Sequence, residues 1–120
     1  MKKLVWPADS RATVKSFPAG VQDEVGYALY LAQLGEMSPG AKPLHGLGSG
    51  VMEIVANNEG GTWRAIYTVS IGDSIYVVHA FQKKSPKGIK TAQTDVELVS
   101  RRLKSASEDY EARYGKRKKP

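Results

Sequence analysis

The chain has 120 residues and no cysteine, which excludes disulfides, thiolate chemistry and cysteine-based zinc sites. Its hydrophobic content of 41% and charged content of 25% are those of an ordinary soluble globular protein of one domain. No apolar run approaches the length of a membrane span, and MKKLVWPADS is too short in apolar residues before Pro7 for a signal peptide. A cytoplasmic, membrane-free protein is the expectation. The first 80 residues hold 6 Lys/Arg against 7 Asp/Glu, while the last 40 hold 12 against 5, so the formal charge of +6 lies entirely in the last third. Such an asymmetry suits an anionic partner, above all a nucleic acid.

Lys2 to Trp6 reads as a short strand that Pro7 ends. Asp9 or Ser10 is placed to cap a short helix running to about Ser16. Phe17-Pro18 breaks the chain, and Pro18 suits the first turn of a second helix. In that helix Val21, Val25, Ala28, Leu29 and Ala32 recur at helical spacing, and Gly35 is its natural stop. Gly26 inside it costs about 1 kcal/mol relative to Ala. From Glu36 to Gly50 the chain is rich in Pro and Gly without periodicity and reads as a connector. Three strands follow: Val51 to Ala56, Trp63 to Ile71, and Ser74 to Gln82. The first two are separated by the turn-forming stretch Asn57-Asn58-Glu59-Gly60-Gly61, the last two by a two-residue hairpin turn at Gly72-Asp73.

Val96, Val99, Leu103 and Ala106 then mark one face of a final helix, with Thr94 and Glu97 spaced as a capping box. Residues 1–114 are expected to form a single domain and 115–120 a disordered basic tail. The order predicts an α+β domain of two layers. Two N-terminal helices and a C-terminal helix would pack on one face of a mainly antiparallel four-stranded sheet.

The segment IYVVHAFQKKSPKGIK carries the clearest chemistry, because an apolar strand ends in Phe81 and then discharges Lys83, Lys84, Lys87 and Lys90. Lysines flanking an aromatic at a strand end suit backbone binding with a base stacked nearby. Arg64 is the sole Lys or Arg between Lys42 and Lys83 and sits inside the strand WRAIYTV, where its guanidinium is either a snorkelling head or a donor fork for phosphate. Counting from the Gly72-Asp73 turn pairs Arg64 roughly with Lys83, which brings both cations to one end of the sheet. Glu53, in an otherwise apolar strand, is either a base or the partner of Arg64 or a lysine. His79 is either a half-buried structural residue or a proton carrier. It and His45 are the two histidines, far apart and without acidic partners at ligand spacing, so no metal site is expected. Tyr67 reads as core or sheet packing. Gly46-Leu-Gly48-Ser-Gly50 precedes a strand instead of opening a helix, which argues for a connector over a phosphate loop.

The pieces FPAGVQDEVGYALYLAQLGE, KPLHGLGSGVMEI, WRAIYTV and IYVVHAFQKKSPKGIKTAQTDVELVSRRL together resemble the RelE/ParE superfamily of small toxins, in particular its HigB-like, phage-derived branch. The resemblance covers nearly the whole chain and implies a toxin of a type II toxin–antitoxin system. Its implied activity is a ribosome-dependent endoribonuclease, an mRNA interferase in which a ribose 2′-OH attacks the adjacent phosphate. A ParE-like inhibitor of DNA gyrase and a non-toxic nucleic-acid-binding domain are the alternatives. The resemblance places Arg64, in WRAIY, and Lys84 or Lys83 as phosphate-contacting and charge-stabilising residues. Glu53 stands where some relatives carry a catalytic lysine, and His79 is an alternative proton carrier. Lys83, Lys84, Lys87, Lys90, Phe81 and Arg101 are the expected nucleic-acid contacts. The implied partners are an antitoxin of helix-turn-helix type, the ribosome and mRNA, with operator DNA reached only through the antitoxin complex. No cofactor or metal is implied.

Overall fold

The strand segments WRAIYTV and IYVVHA lack the polar–apolar alternation of a sheet with one wet face, and both faces of the sheet they form are in fact covered. The computed structural model describes residues 1–58, 60–83 and 92–115. Its elements are β1 (Lys3–Val5), α1 (Ser10–Lys15), α2 (Ala19–Gln33), β2 (Ala41–Pro43), β3 (Val51–Asn58), β4 (Gly61–Ile71), β5 (Ser74–Lys83) and α3 (Gln93–Tyr114). One five-stranded sheet runs in the order β1-β5-β4-β3-β2. Its pairs are antiparallel except for β1, which lies parallel to β5.

Two expectations need correction. The sheet has a fifth strand, β2, taken from the stretch read as a connector. Ala41, Lys42 and Pro43 pair with Ile54, Glu53 and Met52, and three residues at a sheet edge are too few to show a period, while Pro43 is tolerated there. The helices also lie on both faces, giving three layers. Val21, Val25, Leu29 and Ala32 of α2 pack with Ala65, Tyr67, Ile75 and Val77. Val99 and Ala106 of α3 pack with Ile66, Tyr76 and Val78 on the other side.

Each helix follows from its own stripe. α2 buries the five residues Val21, Val25, Ala28, Leu29 and Ala32, and each fully buried Val or Leu contributes about 1.5–3 kcal/mol. It ends where Gly35 takes φ +83°. There Glu36 N–H bonds to Leu31 C=O at 2.8 Å and Gly35 N–H to Ala32 C=O at 3.0 Å, the Schellman pattern. Phe17 meets Trp63 at a ring-centroid distance of 6.4 Å and ties the α1–α2 corner to β4. α3 begins after Ala92 without a side-chain cap, so the Thr94–Glu97 capping box does not form.

The β4–β5 hairpin turns at Gly72, with φ +56°, and a Cβ there would lie 2.2 Å from the Tyr110 ring. Only glycine meets both conditions. Two irregularities follow, one between Thr68 and Ile71 and one between Ile66 and Tyr67. The first adds a residue to β4 and the second adds Val78 to β5, so they cancel in register. Arg64 therefore pairs with Phe81, and Lys83 with Thr62, in place of the expected Arg64–Lys83 pair. The bulges do not cancel in facing. Strict alternation from Ile71 and Ser74 would turn Arg64, Phe81 and Lys83 towards α2. With the two extra residues this end of the hairpin faces α3 instead, as the packing of Ile66 and Phe81 with the α3 cluster shows.

Candidate functional site

The charged centre of the α3 face is a buried ion pair. Val55 pairs with Arg64 and Glu53 with Ile66 in the β3–β4 ladder, so Glu53 and Arg64 lie on one face and diagonally adjacent. Arg64 Nη1 donates to Glu53 Oε2 at 2.8 Å. Glu53 is 1% exposed and Arg64 5%, which makes the pair a desolvated one. Lys42, brought opposite Glu53 by β2, puts Nζ 4.0 Å from Oε1 with its side chain 57% exposed. Screening by water leaves that longer contact little energy of its own. Glu53 thus takes the second of the roles its sequence position allows, the partner of Arg64.

Lys83 closes the same end of the face. It stands opposite Thr62, one diagonal step from Arg64, or about 7–8 Å between such positions. Partial removal from water and, next, the positive charge of Arg64 hold the Lys83 ammonium below its ordinary pKa, with Glu53 opposing them.

His79 sits beside this pair, joined to α3. Its Nε2 lies 2.9 Å from Asp95 Oδ1 and its Nδ1 3.3 Å from Arg102 Nη1. A guanidinium only donates, so Nδ1 accepts and the proton of the neutral ring lies on Nε2, towards the carboxylate. Both ring nitrogens are engaged, and the ring stacks on Phe81 at a centroid distance of 5.0 Å. Arg102 also donates to Val78 C=O at 3.0 Å and pairs with Asp9 at 3.1 Å, joining α3, β5 and the start of α1.

Glu53, Arg64, His79, Phe81 and Lys83 therefore converge on one end of one face. Arg101 does not join them, being exposed on α3. Tyr67 is buried on the opposite face, as its core reading has it, and burial raises its pKa. Gly46 to Gly50 lie in the link between β2 and β3. Lys84, Lys87, Lys90 and the tail from Lys116 lie outside the described residues. Among the described residues no three His, Asp or Glu side chains come together as a metal site needs, and no helix is long and apolar enough to cross a membrane.

Arg102, Asp95 and Lys42 complete the cluster without having been singled out in the sequence. For the first two a signal existed: Asp95, Val99, Arg102, Leu103 and Ala106 fall on one helical stripe, so the second arginine of the pair faces the sheet. Lys42 had none, because its position depends on β2.

A mainly antiparallel five-stranded sheet with two N-terminal helices on one face and a C-terminal helix on the other is a RelE-like α+β fold. The crystal structure of the isolated E. coli RelE toxin superposes with a TM-score of 0.54 at 14% identity, over 84% of this chain and 98% of that one. No curated protein matches the chain. The model of the Gp49-like phage-derived protein family matches residues 12–104. The chain belongs to that family, which is of the RelE/HigB toxin type.

Proposed function

We propose that the chain is the toxin of a toxin–antitoxin pair and acts in the cytoplasm as a ribosome-dependent endoribonuclease that cuts mRNA. The observation that carries this reading is the convergence of Arg64 and Lys83 at one end of the α3 face, in a family of RelE/HigB type. Attack of a ribose 2′-OH on the adjacent phosphate needs an acceptor for the hydroxyl proton, a donor for the leaving 5′-oxygen and cations for the charge that builds on phosphorus. Arg64 supplies the cationic fork, and Glu53 fixes its orientation. Lys83, its pKa lowered by burial and by Arg64, is the proton-transfer group this geometry favours. His79 can move a proton only by giving up its contact with Asp95 or Arg102. Phe81 and the lysines that follow it flank the RNA.

Burial also accounts for the dependence on a ribosome. At 5% exposure Arg64 meets a phosphate only after a rearrangement at that end of the sheet, and a large ribonucleoprotein surface is the partner that can supply it. Free RNA is then a poor substrate. The partner expected in the cell is an antitoxin of helix-turn-helix type, through which operator DNA is reached.

Purified protein incubated with mRNA, with and without programmed ribosomes, tests the reading. Cleavage is expected only with ribosomes, and Arg64→Lys, which keeps the charge and loses the fork, is expected to slow it by about 10²–10³-fold. Intact mRNA from a chain that still arrests growth would overturn the nuclease reading. Inhibition of supercoiling by gyrase in the same preparation would replace it with the protein-binding one.

A further inference from the structure

Along β5 the side chains leave strict alternation at one point. Val77 and Ala80 pack on the α2 side. Val78 packs on the α3 side, and His79, the next residue, also reaches α3 through Asp95 and Arg102. Two consecutive residues on one face are what an extra residue in a strand produces. Val78 is that residue, since Ile66 pairs with His79 and Tyr67 with Val77. The end of β5 beyond it, Phe81 and Lys83 included, owes its facing to this bulge, because a strand shifted by one residue turns each side chain to the other face.

The extra residue of a bulge loses its regular place in the ladder. β1 supplies none, because its pairing with β5 ends at Val5 and Tyr76. The partner comes from α3. Arg102 Nη1 donates to Val78 C=O at 3.0 Å and to His79 Nδ1 at 3.3 Å, while Nη2 pairs with Asp9 at 3.1 Å. One planar fork thus grips both residues of the bulge and is itself held from the start of α1. Its base is fixed as well. Val99 and Ala106, about one turn to either side, are 0% and 2% exposed and anchor this stripe of α3 against the sheet. A lysine would bring a single charged nitrogen and no planar fork.

We propose that Arg102 is a positioning residue: its grip on Val78 and His79 holds the bulge, and the bulge holds Arg64, Phe81 and Lys83 together on the α3 side. Arg64 is included because it pairs with Phe81 across the hairpin. The role in cleavage rests on the nuclease reading, whereas the role in holding the bulge stands without it. Arg102 needs no contact with RNA for this. A displacement of about 1 Å in the groups that meet a phosphate costs about 10²-fold in rate.

The test compares the full chain with Arg102→Lys and with Lys104→Gln, which removes a charge from an exposed position on the same helix. In ribosome-dependent cleavage Arg102→Lys is expected to lower kcat by about 10²-fold per folded molecule with KM little changed, while Lys104→Gln cleaves at the parental rate. Circular dichroism gives the folded fraction. In NMR spectra of the folded Arg102→Lys protein, the amide signals of residues 64–66 and 77–83 should move, and the contact between the His79 and Phe81 rings should weaken, while α2 signals stay in place. Parental kcat, or unmoved signals in those two segments, overturns the proposal. Lost cleavage with unmoved signals would make Arg102 a direct contact to RNA. If the parent leaves mRNA intact on ribosomes, the nuclease reading falls and the NMR comparison alone decides the role of Arg102. If Arg102→Lys does not fold, the parent decides it: slowly rotating Arg102 guanidinium protons in contact with Val78 and His79 are expected, and a freely rotating guanidinium overturns the proposal.

Discussion

On the α2 side of the sheet Val21, Val25, Leu29, Ile54, Tyr67, Ile75 and Val77 close into an apolar core, whereas the α3 side buries Glu53, Arg64 and His79 among its apolar residues. The first side is held by area removed from water, which is non-directional and tolerant of small shifts. The second adds to its own apolar cluster of Ile66, Tyr76, Val78 and Val99 directed contacts between charged and polar groups that cost much to bury and are costly to leave half made. A face organised this way contributes less to stability than its contacts suggest and fixes side-chain positions more. That is what a site for charged chemistry requires, and it explains why substitutions on the two sides should separate folding from activity.

The largest separation is expected at Lys83. Lys83→Arg keeps the charge but removes a group that loses its proton below the ordinary lysine range, so mRNA cleavage should fall by about 10²–10⁴-fold with the unfolding midpoint little changed. In the parent, the rate should rise with pH as Lys83 deprotonates, and that rise should be absent from the variant. A rise unchanged by the substitution would move the proton-transfer role to another group. Glu53→Ala should affect both properties. It leaves a buried guanidinium without its carboxylate and should cost about 3–5 kcal/mol in urea unfolding, together with cleavage activity. Leu29→Ala on the apolar side should cost about 2–5 kcal/mol, while protein that remains folded cleaves at the parental rate. An activity loss larger than the loss of folded protein would show the two sides to be coupled.

The smallest effect expected lies at the far end of the α3 face. Burial first, and then the hydrogen bond to Asp109 at 2.9 Å, push the Tyr76 phenol from 10.0 up to about 12. The folded value exceeds the unfolded one, so the contribution of neutral Tyr76 is complete below pH 10 and is lost as pH rises towards 12. Denaturant titrations across that interval should show a decline that Tyr76→Phe flattens.

Much of the architecture was legible because local physics dictates it. Helical spacing located α2 and α3, a capping position and the Phe17-Pro18 break located α1, Gly35 stopped α2, and Gly72-Asp73 turned the hairpin. The charge asymmetry and the lone strand arginine singled out Arg64 and the lysine-bearing strand end. The departures have definite causes. β2 was hidden because three edge residues around a proline show no period. The position of α3 was hidden because buried strands apolar on both faces do not say which helix covers which. Arg102 was passed over for Arg101, although the stripe through Val99 and Ala106 distinguishes them.

The sequence by itself determined which residues could do charged chemistry, since only a few cations and carboxylates fall within apolar strands. It also set the turn from which the hairpin register is counted. Tertiary structure alone decided where those residues point. The two bulges add one residue to each strand, which restores the register and reverses the facing, so that Arg64, Phe81 and Lys83 lie on the α3 side of the sheet instead of the α2 side. A bulge depends on how a strand is covered on both sides, which is a property of the packed layers and not of the residues within it.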